Sequence, residues 1–356
     1  MARLIKINLL ILIALLLLVE LTGQILYRVK WGHFMFSDPL QQLHQTVYRR
    51  HPFLSVALNK NVKAVYDETP NHDNHLVTTT ELGTRWTGAD LYDTTKIRIA
   101  CIGGSTTFCI GVNDKNSWPA LLQKKLGSNY AVFNYGLSGY TTVEAIIQMA
   151  LFIPEIKPRL IIFYEGWNDL HVYHTENTYP DYFSHGVAQL NEVLAVHLED
   201  STCLGKLRRM SGLFYIADNI HERIFKQKET VRYSVPDENI NKLFERNIHT
   251  LITLSSGLKS KPVFISQVLN PFTKRHSGFS HQWTMHIEDN KVPVFMNQMN
   301  RIVENICAAD SNCVYFDFKN SITWQEKYFL DDGHFTIEGN EIFSDALTQK
   351  IKTIKF

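Results

Sequence analysis

Apolar and polar residues follow three regimes along the chain. Residues 9–19 form an unbroken apolar run. Residues 31–95 are mixed, with HPFLSVALNK and LVTTTELGTRWTG as short strand-like pieces. From residue 96 the pattern becomes regular. KIRIACIG, YAVFNYG, RLIIFYEG, KPVFISQVL and CVYFDF are short apolar runs rich in β-branched and aromatic residues, which predicts five strands. Helical patterns separate them. NSWPALLQKKLG has Ser117 as N-cap, Pro119 in the first turn and Gly127 past the end. TTVEAIIQMALFIPEIKP opens on Thr141 or Thr142 and stops before Pro158, and further helices are expected over 238–257, 292–309 and 336–352. Strands that are apolar throughout and alternate with helices predict a parallel sheet covered on both faces. Residues 172–237 break the rhythm, being rich in His, Tyr, Asn and charge with one helix-like piece near 205–225. They are read as an insertion placed over the site as a lid.

The first apolar run, extended to 7–27, would span about 31 Å as a helix, enough for a bilayer. Arg3 and Lys6 precede it and Arg28 and Lys30 come after it, so flanking charge does not set its orientation. Leu21-Thr22-Gly23 is a poor cleavage site, which favours an uncleaved signal anchor over a cleaved signal. Either reading exports the remainder of the chain. The expected organisation is an anchor at 1–30, an extension at 31–95 and a domain at 96–356 containing the insertion. This describes a single-pass membrane protein with its domain outside the cytoplasm, in the periplasm if the cell is Gram-negative.

The 356 residues are 45% hydrophobic and 20% charged, the composition of a folded protein. A net charge of +1 without a basic run leaves no footprint for nucleic acid. Of the five cysteines, Cys101 falls in the first strand as a core thiol, and Cys307 and Cys313 are the candidate disulfide pair. No Asn-x-Ser/Thr sequon occurs, which favours a bacterial setting.

In a parallel sheet the ligand site lies at the carboxyl ends of the strands. Strand one delivers Gly104-Ser105 there, strand two NYGLSGYT with Gly136 and Gly139, and strand three EGWND with Asn168. Near the C-terminus FLDDGHFTIEGN supplies Asp331 and His334, three residues apart. A serine, a histidine with a nearby carboxylate, and several N–H donors are the parts of an acyl-transfer site. No G-x-S-x-G elbow is present, which argues against the α/β-hydrolase route to the same chemistry. His171 with His174, and His281 with His286, lack a Cys or carboxylate at diagnostic spacing, so no metal site is expected.

These four blocks, in this order, resemble the SGNH (GDSL-type) hydrolases: GGST at Ser105, N-x-x-x-S-G ending at Gly139, G-x-N-D at 166–169 and D-x-x-H at 331–334. The resemblance covers about 96–171 and 238–352, and the prefix is similar to that of membrane-anchored bacterial members. It implies a three-layer α/β/α sandwich, flavodoxin-like, with a five-stranded parallel sheet and no cofactor. It also implies Ser105 as nucleophile, His334 as general base and Asp331 as the group that orients it. The oxyanion hole would be the N–H groups of Ser105 and Gly139 with the Asn168 amide. Asp332 competes with Asp331, but only Asp331 has the family spacing to the histidine. The namesake Gly-Asp-Ser is Gly103-Gly104-Ser105 here, a departure expected to change the turn more than the chemistry. Asp169 is read as a helix cap outside the site.

The expected function is a serine esterase acting on acyl, chiefly O-acetyl, esters of a cell-surface glycan. An O-acyltransferase using the same residues is the rival within enzymes, and a membrane-tethered glycan-binding protein the rival outside them.

Overall fold

The computed structural model describes residues 1–37, 46–49, 51–66, 75–174, 203–225, 231–280 and 285–354. The chain divides into two compact units, one of residues 1–45 with 195–229 and one of 46–194 with 230–356.

In the first unit a helix runs from Ala2–Trp31, and Arg3–Trp31 is long and apolar enough to cross a membrane. Its polar residues near the far end have partners. The Glu20 carboxylate accepts from Ser211 Oγ at 2.6 Å and from the backbone N–H groups of Gly212 and Leu213 at 2.7 and 3.0 Å. It thereby caps the helix Gly212–Phe225, whose first N–H groups have no partner within the helix. Gln24 Nε2 donates to the Met210 carbonyl, and the Tyr27 and Tyr215 rings meet edge-on at 5.2 Å. Gly23 and Gly212 let the backbones approach, since a Cβ on either would run into the other chain segment. The helical piece expected near 205–225 is therefore two helices, Cys203–Met210 and Gly212–Phe225, and the second packs on the N-terminal helix. The remainder of the insertion expected as a lid, 175–202 and 226–230, lies outside the described residues.

The second unit begins at Thr46, inside the segment expected as an extension. A hairpin of β1 (Lys63–Tyr66) and β2 (His75–Thr78) precedes the sheet strand β3 (Ile97–Gly103). Next come α1 (Ser105–Phe108), α2 (Trp118–Leu126), β4 (Tyr130–Asn134), α3 (Thr142–Leu151), β5 (Leu160–Tyr164) and α4 (Trp167–Leu170). After the insertion come α5 (Glu238–Gly257), β6 (Lys261–Ile265), α6 (Val292–Ala309), β7 (Val314–Phe316) and α7 (Ile337–Ile351). The five strands pair in the order β4-β3-β5-β6-β7, every pair parallel.

Alternation along the strands divides the core. Ala100, Ile102, Phe163 and Phe264 face a layer that includes Met149, Ile248 and Met299 from α3, α5 and α6. Ile99, Cys101, Ile162 and Val263 face Leu122 and Phe343 from α2 and α7. Helices on both faces make the three-layer α/β/α sandwich. Local sequence sets the helix starts: Ser117 caps α2, Thr141 and Glu144 form a capping box on α3, and Thr336 caps α7. A disulfide joins Cys307 at the end of α6 to Cys313 just before β7, and Cys101 is buried and free.

Arg85, after the hairpin, is fully buried at 1% exposure. Its Nε donates to Asp114 Oδ1 at 2.9 Å, and its Nη groups donate to the carbonyls of Phe108, Cys109 and Val112 at 2.5, 2.7 and 2.6 Å. Its backbone N–H bonds the Asn134 carbonyl at the end of β4. One cation thus gathers the turn beyond Ser105. Arg85→Met removes the charge and leaves a buried carboxylate and three carbonyls unmet, so unfolding free energy should fall by about 3–5 kcal/mol. Urea unfolding of the variant against the wild type measures this, and a loss under about 1 kcal/mol would show that water replaces the guanidinium.

Candidate active site

Register brings the strand exits together. Gly103 of β3 pairs with Tyr164 of β5, so the chain leaves both strands at one level of the sheet. Gly103 and Gly104 have no room for side chains. A Cβ at 103 would overlap Thr107 and the Tyr164 carbonyl, and one at 104 would overlap Asn168 Nδ2. The Asn168 amide nitrogen therefore lies against the peptide that leads into Ser105. The aspartate of the Gly-Asp-Ser pattern would collide there in this arrangement.

Ser105 opens α1 and is 2% exposed. Its Oγ is 2.8 Å from His334 Nε2, and His334 Nδ1 is 2.7 Å from Asp331 Oδ2. Asp331 Oδ1 accepts the backbone N–H groups of Gly333 and His334, each at 2.8 Å. Partial burial pushes the Asp331 carboxyl up, but the His334 charge, the bond to its ring and the two N–H groups outweigh this and hold it at about 2. An ionised carboxylate only accepts, so Nδ1 carries the proton and Nε2 presents its lone pair to the serine hydroxyl. That is the tautomer a general base requires.

Asp332 has a different place. Arg275 Nη2 donates to both of its oxygens at 2.6 and 2.7 Å, and Thr273 Oγ1 donates at 2.7 Å. It is 3% exposed, and the Nδ1 of His334 bonds Asp331 instead.

The donors expected for an oxyanion also come to this edge. Gly139 has φ +78°, a left-handed conformation in which glycine carries no Cβ strain. Among the described residues neither the Ser105 nor the Gly139 backbone N–H donates to a backbone carbonyl outside the regular elements. Asn168 Nδ2 gives one hydrogen to the Tyr140 carbonyl at 2.7 Å and keeps its second. Tyr140 is held in turn by its own hydroxyl, which donates to the Val56 carbonyl at 2.6 Å.

Asp169 caps a helix, though not its own. Its carboxylate accepts from Thr142 Oγ1 at 2.5 Å and from the Thr142 N–H at 3.2 Å, at the start of α3. Asn247 of α5 donates to the same hydroxyl at 2.9 Å. The roles of Asp169, Tyr140, Arg85 and Arg275 are not visible in the sequence, because each acts through partners distant in the chain. Of the histidines weighed for metal, His171 is fully buried, while His281 lies outside the described residues.

A parallel α/β sandwich with a hydrogen-bonded Ser-His-Asp chain at its strand exits has the layout of a serine hydrolase. The family profile for GDSL-like Lipase/Acylhydrolase matches residues 101–225, and over that span the chain is similar to the GDSL/SGNH hydrolases. Esterase TesA of Pseudomonas aeruginosa is 34% identical over 71 residues, 19% of this chain and 35% of that protein. The match thus spans about a third of the curated relative's length. Among solved structures, a GDSL-like lipase of Bacteroides thetaiotaomicron is similar at 16% identity and TM-score 0.41, covering 74% of this chain and 91% of that one. An acetylxylan esterase of Geobacillus stearothermophilus is similar at 14% identity and TM-score 0.43, covering 72% and 94% respectively.

Burial raises the Asp169 carboxyl from 3.8 to about 7, against the pull of the Thr142 hydroxyl and N–H and with the Glu144 charge adding to the rise. Between those values the folded chain holds a proton that the unfolded chain has released. This group therefore makes stability fall as pH rises from about 4 to about 7, and has no further effect above that. Asp169→Asn keeps an acceptor for Thr142 and removes the titration. Urea midpoints of the variant should gain on the wild type as pH rises through this window. A constant difference from pH 4.5 to 7.5 would mean that Asp169 is already ionised throughout.

Proposed function

We propose that this protein is a membrane-anchored serine esterase that hydrolyses O-acyl esters, chiefly O-acetyl groups of a cell-surface glycan. The observation that carries the reading is the continuous hydrogen-bonded chain from Ser105 Oγ through His334 to Asp331. Ser105 Oγ attacks the ester carbonyl as His334 Nε2 takes its proton, and Asp331 stabilises the imidazolium. The oxyanion is held by the Ser105 and Gly139 N–H groups and the Asn168 amide, fixed before reaction and so needing no reorganisation. His334 then protonates the leaving alcohol. Water, activated by the same imidazole, releases the acid and restores Ser105.

The anchored, extracytoplasmic location is supported by the apolar N-terminal helix and by the Cys307–Cys313 disulfide, which suits an oxidising compartment. The partners of Glu20 and Gln24 within the first unit favour retention of that helix over its removal.

Ser105→Ala should lower turnover by up to about 10⁶-fold with the fold intact. A serine-directed phosphonate should label Ser105, and labelling of another residue would remove the proposal. Asn168→Ala should lower kcat by about 10²–10³-fold, and an unchanged kcat would confine the amide to holding Tyr140. In cells with a permeabilised outer membrane, added protease should reach the second unit. Protection until the inner membrane is lysed would place the enzyme in the cytoplasm and rule out a surface glycan.

A further inference from the structure

A cavity of about 270 Å³ lies at the carboxyl end of β6, beside the β5 exit that carries Asn168. Gln267 lines it, 1% exposed, and neither Oε1 nor Nε2 of its side chain has a hydrogen-bond partner among the described residues. Its backbone is clamped. The Gln267 N–H donates to Asn300 Oδ1 at 2.8 Å and its carbonyl accepts from Asn300 Nδ2 at 2.9 Å. A buried amide with both functions unmet is costly, and an apolar side chain of similar size would avoid that cost.

The cavity borders the catalytic turn on two sides. A Cβ on Gly166, two residues before Asn168, would touch Gln267 and Met296 at 3.8 Å. Asn270, on the cavity wall, donates through its side chain to the Asp331 carbonyl at 3.1 Å and through its N–H to the Asp332 carbonyl at 2.9 Å. Arg275 also lines the cavity, but its charge is taken up by Asp332 and Asp289. Lys319 makes no ion pair among the described residues, and Leu269 and Met296 supply apolar surface. An amide offers one donor and one acceptor side by side, and adjacent hydroxyls on a ring satisfy both at once. The volume fits one ring, and the apolar wall suits its C–H face.

We propose that this cavity is the subsite for the sugar alcohol of the ester, with Gln267 as the residue that selects it. The inference rests on the reading of Ser105, His334 and Asp331 as an ester-cleaving centre.

The test compares Gln267→Met with wild type, both full-length in detergent, on para-nitrophenyl acetate and on mono-O-acetylated methyl glucoside. The variant should lose about 10–100-fold in kcat/KM on the sugar ester, as when a hydroxyl-binding group is removed. It should stay within about twofold on the aryl ester and melt no lower than wild type, because the amide makes no hydrogen bond among the described residues. Equal losses on both esters, no loss on either, or a wild type that cleaves only the aryl ester would overturn the subsite. If the wild type cleaves neither ester, the esterase reading fails, and saturation-transfer NMR with unesterified methyl glucoside decides the subsite separately. Binding by wild type that is lost in Gln267→Met would sustain it, and no binding by wild type would overturn it.

Discussion

Two adjacent side chains, Asn168 and Asp169 on the single turn of α4, hold the loop that runs from the end of β4 into α3. Asn168 takes the Tyr140 carbonyl and Asp169 takes the first N–H and hydroxyl of α3. Between them lies the stretch just after Gly139, so the Gly139 peptide is braced by the turn that leaves β5. The Asn168 nitrogen also lies against Gly104. One turn thereby braces the serine peptide, the Gly139 peptide and the side-chain amide together, as the proposed oxyanion hole requires.

This arrangement places charge under the site. Glu165, immediately before the turn, is buried with its carboxyl pushed well up by burial, then by the charges of Asp169 and Glu144. Three acids in a dry volume cannot all ionise cheaply, and the raised values of Glu165 and Asp169 express that conflict. On the other side of the serine turn the sign is reversed. Arg85 is buried among carbonyls and Asp114, and it draws the 108–114 turn around itself. The segment before the sheet is therefore part of the site's support, through Arg85 and through Val56 beneath Tyr140.

The sheet is legible in the sequence because its signals are local. Strands buried on both faces read as apolar runs, and Ser117, Thr141 and Thr336 mark helix starts with side chains that bond two or three residues ahead. The serine, the histidine and Asp331 are legible because each sits in a short block at a strand exit or loop. Arg85 is not, since a guanidinium that bonds carbonyls more than twenty residues away leaves no trace in the spacing of side-chain types. Composition alone marks the insertion, and composition does not reveal that Gly212–Phe225 takes its N-terminal cap from Glu20. Gln267 reads as an ordinary strand end. A buried side-chain amide without a hydrogen-bond partner among the described residues sets it apart.

Neighbouring aspartates show how much of this specificity lies outside the sequence. Asp331 is half exposed, at 48%, yet its carboxylate is fixed by two backbone N–H groups of its own loop and so needs no burial to orient His334. Asp332 is almost fully buried and carries the stronger ion pair, but that pair with Arg275 uses its acceptors. Burial therefore does not identify the acid that serves the histidine. The turn at 331–334 identifies it, because its three-residue spacing folds the carboxylate back onto its own peptides and delivers the other oxygen to the ring. Asp332, one residue later, points its charge to the loop at 273–275 and braces that turn from outside. The two acids divide orientation and support between them.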